Sequence, residues 1–125
     1  MRTWFFALAF LAAFAAGCQP QQQAAGLQIA AYDRALRDAG LHDIRFEKNT
    51  RLPPQVQAVA AADVYLAGQH LLICQWAPPK KGEEYRAYFD GYKAQKYTIL
   101  TNDNLVLVAE PNVQQEILDA FTNLR

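Results

Sequence analysis

Two cysteines, two histidines and a scatter of aspartates are the residues with chemistry to offer, and the chain contains no serine. His42 and His70 stand apart, and neither has another His or Cys at ligand spacing. They read as surface histidines, so neither a metal nor a cofactor is expected. Cys74 lies inside an apolar run, four residues after His70. On a strand the two share a face but sit about 13 Å apart. A buried cysteine behaving as a small hydrophobe is the expected role. Asp63, Asp90 and Asp103 are dispersed and show no partner for acid–base work. No G-x-S-x-G, P-loop or H-E-x-x-H pattern is present. The residues therefore point away from an enzyme.

Recognition is the other chemistry on offer. Tyr65, Trp76, Tyr85, Tyr88, Phe89, Tyr92 and Tyr97 are dense in the second half. Tyr85, Phe89 and Tyr92 fall at helical spacing and read as core. Tyr88 lies off that stripe and Trp76 ends a strand, so these two are the expected exposed contacts. Lys80-Lys81 followed by Glu83-Glu84 reads as a solvated loop, the acids suiting the positive end of a helix dipole. Charge is balanced, 12 basic against 12 acidic residues. No field of one sign argues for nucleic acid as a partner.

The first cysteine has a different setting. Met1-Arg2-Thr3 precedes an uncharged run, Trp4 to Phe14, too short to span a membrane comfortably. Ala15-Ala16-Gly17 supplies small residues, and Cys18 follows directly. This arrangement resembles the lipobox of bacterial lipoprotein precursors, and the resemblance covers residues 1–18. It implies that the leader is cut between Gly17 and Cys18, and that the Cys18 thiol receives diacylglycerol. Further acyl chains such as palmitate then make attachment stable, since one chain alone binds marginally. The implied partner is the lipid bilayer. The implied place is the outside of the cytoplasmic membrane or, if the cell has one, the outer membrane, because Gln19 is not the aspartate of inner-membrane retention.

Behind that anchor three segments are expected: residues 1–17 as signal peptide, 18–26 as a flexible Gln-rich tether, and 27–125 as a single small α+β domain. Ile29, Tyr32 and Leu36 predict a helix over Leu27–Ala39, with Gly40 as its stop. Ile44 to Glu47 alternates like a half-exposed strand. Pro53-Pro54 breaks the chain, and Gln55 to Ala62 reads as a short helix.

Leu71–Pro78 resembles Leu105–Pro111. Each is preceded by a strand (Val64–Ala67; Tyr97–Thr101) and a turn (Gly68-Gln69; Asn102-Asp103-Asn104), and followed by a helix (Glu83–Lys93; Val113–Leu124). Two ββα units, about 63–94 and 96–125, follow the N-terminal helix. They predict a four-stranded, mostly antiparallel sheet with both repeat helices on one face. Because Leu71–Ile73 and Leu105–Val108 are apolar on both faces, the second face needs a cover, either the first helix or a partner. The expected function is a lipid-anchored, non-enzymatic adaptor that binds an envelope protein through an uncovered sheet face or edge, with a small-ligand-binding lipoprotein as the alternative.

Overall fold

The computed structural model describes residues 26–125. The expected signal peptide, the Gly17–Cys18 junction and nearly all of the tether lie outside these residues.

Helix α1 (Ile29–Asp38) carries Tyr32 and Leu36 on its buried stripe, and Arg37 pairs with Asp33 one turn back. Strand β1 (Arg45–Lys48) is followed by a 3-10 turn at Pro54–Val56. Next come β2 (Ala60–Leu66), β3 (Gln69–Gln75), a 3-10 helix (Gly82–Gln95), β4 (Thr98–Asn102), β5 (Leu105–Ala109) and α2 (Gln115–Thr122). The strands form one antiparallel sheet in the order β1-β2-β3-β5-β4.

This corrects the expected four-stranded sheet of two ββα units. There are five strands, because Arg45–Lys48 joins the sheet edge by pairing with Ala62–Tyr65. The expected helix at Gln55–Ala62 is also absent. Gln57 takes a left-handed conformation after the 3-10 turn, and Ala60 already pairs with Gln75. Ala60, Ala61 and Ala62 belong to β2 instead: pairing with Gln75, Cys74 and Ile73 overrides the helix preference of alanine.

The two repeat helices lie on opposite faces rather than one. Alternation along the central strands requires this, since each face presents its own apolar set. On one face Val64, Leu71, Ile73, Leu105 and Leu107 meet Tyr32 and Leu36 of α1 and Ile117 and Phe121 of α2. Tyr32 and Phe121 meet edge to face at 5.6 Å, an arrangement worth about 1 kcal/mol beyond the area buried. The Tyr32 hydroxyl donates to the Ile117 carbonyl at 2.8 Å, which joins the two helices.

On the other face Leu72, Cys74, Val106, Val108 and Ile99 are covered by Trp76, Phe89 and Val56. The 3-10 helix begins at Gly82, where a side chain would come within 2.3 Å of the Leu105 carbonyl oxygen. Only glycine lets this backbone approach β5 so closely. Three residues per turn place i and i+3 over one another. Tyr88 therefore stands above Tyr85, their rings 6.4 Å apart and 19° from parallel.

The chain enters the fold through a clamp. The buried Asn104 donates to the carbonyls of Leu27 and Trp76 and accepts from the Leu27 N–H, at 2.8–2.9 Å. Gln75 accepts from the Ile29 N–H at the start of α1. Both anchors lie where β3 ends and β5 begins.

Candidate functional site

Trp76 and Tyr88, the expected contacts, are both parts of one aromatic stack. Trp76 is fully buried, which corrects its reading as an exposed residue. Its Nε1 donates to the Val56 carbonyl at 2.7 Å, and Tyr85 covers its ring at 4.8 Å. Tyr88 is the exposed end of that stack.

Cys74 is free and buried, as a core residue would be. Burial, with a smaller effect from the negative charge of Asp63, pushes its thiol from 9.0 up to about 12. A thiol held neutral in this way is a poor nucleophile.

The polar convergence lies elsewhere, on the same sheet face but beyond the end of the 3-10 cover. Asp63 of β2 is 5% exposed, an unusual place for a carboxylate without partners. It has three. His70 Nε2 lies 2.7 Å from Oδ1, Asn49 Nδ2 donates to Oδ2 at 3.1 Å, and Arg51 Nη2 stands 3.6 Å from Oδ2. An ionised carboxylate only accepts, so Nε2 of His70 carries the proton of that contact and Nδ1 is left over.

The sheet register makes this group. Tyr65 pairs with His70, and Asp63 with Leu72, so Asp63 and His70 are diagonal neighbours on one face. Tyr65 stacks on His70 at 4.9 Å, and the Arg45 guanidinium lies 4.6 Å from the Tyr65 ring. Arg45 is in turn paired with Glu47 at 2.6 Å. A row of side chains thus crosses β1, β2 and β3.

A pocket of about 480 Å³ opens over Asp63 and His70. Leu72 and Val108 belong to its floor, and Leu52, Pro53 and Arg51 to one wall. Tyr92 and Tyr97 form the other wall, with ring centres 5.1 Å apart. They are brought together by the end of the 3-10 helix, where Lys96 turns left-handed and Tyr97 donates its N–H to the Tyr92 carbonyl. A broader depression of about 840 Å³ at the β2–β3 turn shares His70 and includes His42, Arg45 and Glu110. Among the described residues no three His, Cys, Asp or Glu side chains gather as a metal set.

Asp63, read from the sequence as having no partner, has three, which corrects that expectation. His70 does lie at the surface, its side chain 39% exposed; the sequence did not show that it meets the buried Asp63 at the pocket. The arrangement offers an aromatic and aliphatic lining with a few fixed polar groups, the general make-up of a small-molecule site. Comparisons with protein-family models, with curated proteins and with solved structures return no match for this chain.

Proposed function

We propose that the protein is a lipid-anchored binding module that holds a small molecule outside the cytoplasm. Attachment is through acylated Cys18, and the ligand enters the pocket between Tyr92, Tyr97 and Arg51. The observation that carries the binding reading is Asp63, a nearly buried carboxylate on the pocket floor whose partners come from the neighbouring strand β3 and from the loop after β1. Such a group costs free energy to bury, and its cluster is aimed at an opening rather than sealed within the core.

The anchor reading rests on Ala15-Ala16-Gly17-Cys18, and the fold is compatible with it. Leu27 is clamped where β3 ends, whereas His70 lies near the start of β3, about 17 Å away along the strand. A bilayer on the tether side would leave the pocket open.

The adaptor reading is the runner-up. It needs an uncovered sheet face or edge, and each face carries its own cover among the described residues. What remains open to it are the outer strands β1 and β4 and the exposed Tyr88 and Val59.

Two experiments test the proposal. Cys18→Ser should leave the protein unlipidated and released from membranes; a variant still processed and membrane-bound would refute the anchor. Equilibrium dialysis against a small-molecule extract of the producing cells tests the pocket. A compound retained by the wild type and lost from Tyr92→Ala is expected, whereas equal retention by both would move the site elsewhere.

A further inference from the structure

We infer that the pocket takes a small organic acid, with a planar carboxylate head against Arg51 and an apolar body against Tyr92 and Tyr97. This rests on the pocket reading above and adds the chemical class of the ligand. What the polar groups have left to offer sets the sign of the ligand. Both oxygens of Asp63 already accept, Oδ1 from His70 and Oδ2 from Asn49, and its side chain is 8% exposed. It has little capacity to receive a donor from a ligand. Arg51 is the reverse. Its side chain is 80% exposed, and among the described residues its guanidinium has one ionic approach, Nη2 to Asp63 at 3.6 Å. Most of its N–H fork is unspent.

The remaining charges nearby do not change the sign. Glu47 is paired with Arg45 at 2.6 Å, and His70 is neutral or positive. Donors therefore exceed acceptors at the mouth, and the planar fork of Arg51 matches a planar oxyanion held by two parallel bonds. Asp63 holds Arg51 and His70 in place. The lining beyond the head is apolar or aromatic: Leu52, Leu72, Val108 and the two tyrosine rings. That pairing favours an amphipathic acid over a free inorganic ion, and a volume of about 480 Å³ admits a body of one or two rings.

The test is titration calorimetry of the full chain in phosphatidylcholine nanodiscs, with phenylacetate and its neutral isostere phenylacetamide as probes. Phenylacetate is expected to bind, and the amide about tenfold more weakly. Arg51→Gln should bring the acid down to the level of the amide while the domain stays cooperatively folded, because Asp63 keeps its contacts with His70 and Asn49. Equal binding of acid and amide by the wild type would overturn the anion, as would an Arg51→Gln variant that keeps its affinity for the acid. If in that case Tyr92→Ala still abolishes both, the pocket stands and only the ligand class falls. No binding of either probe also counts against the anion, and leaves the pocket to be judged by the dialysis experiment.

Discussion

Asp63 Oδ1 and His70 Nε2 lie 2.7 Å apart, on adjacent strands and on one face of the sheet. Removing the carboxylate orphans the donors gathered around it. Asp63→Ala should cost about 1–3 kcal/mol in urea unfolding. Asp63→Asn should cost less, since an amide oxygen can still accept one bond. A loss below the error of the fit in both variants would show that the cluster contributes nothing to the fold.

The Cys74 thiol makes stability fall at alkaline pH. In the unfolded chain it ionises near 9.0, and in the folded one near 12, so between these values the unfolded state binds fewer protons. Its stabilising contribution is complete below 9.0 and is lost as pH rises toward 12. Tyr32, whose hydroxyl is also pushed upward by burial, adds a loss of the same sign. Unfolding free energies measured from neutral pH upward should decline across this window, and Cys74→Val should decline less steeply. Fast alkylation of Cys74 in the native protein at mildly alkaline pH would contradict its burial.

Asn104 makes three hydrogen bonds from one side chain. Asn104→Ala should destabilise the domain by about 2 kcal/mol or more, since it strands the Leu27 N–H and the buried Trp76 carbonyl. Limited proteolysis should then cut near Gly26–Gln28 before the domain melts. Resistance equal to wild type would mean that this segment is held by other contacts.

Gly82→Ala places a methyl group against the Leu105 backbone, which has no flexible end to yield. A loss of about 1–3 kcal/mol is expected from the displaced 3-10 helix. Tyr85 and Trp76 should report it, because their stack depends on that helix. The check is the emission maximum of Trp76, the one tryptophan among the described residues. It should lie at short wavelength in the wild type and shift red in the variant.

Much of the sheet is legible in the sequence, and the site is not. Strands at Leu71–Cys74 and Leu105–Val108 announce themselves as apolar runs bounded by turn residues, and their two-sided character demands two covers. What turned on a single residue is the register. A turn at Gly68-Gln69 would set Asp63 opposite Cys74. The actual turn is Ala67-Gly68, with Ala67 at φ 52°, a conformation uncommon for alanine. This places Asp63 opposite Leu72 and diagonal to His70. The signal was present in the spacing of Asp63, Tyr65 and His70, but it needed the hairpin centre to be read. Likewise Tyr88 was set apart by an α-helical period, whereas a 3-10 period puts it in line with Tyr85 and Trp76. The strand order, with β5 inserted between β3 and β4, has no local signal at all.

The Asn104 clamp also decides how a pull on the N-terminal segment would be shared. Leu27 is gripped at both its N–H and its carbonyl, and Gln75 grips the next turn of chain. Tension would enter at the ends of β3 and β5, the strands flanked by neighbours on both sides, rather than at an outer strand that could peel away alone. Several bonds would have to break together before the sheet itself felt the load. The domain is thus built to be tugged from the end by which it would be tied.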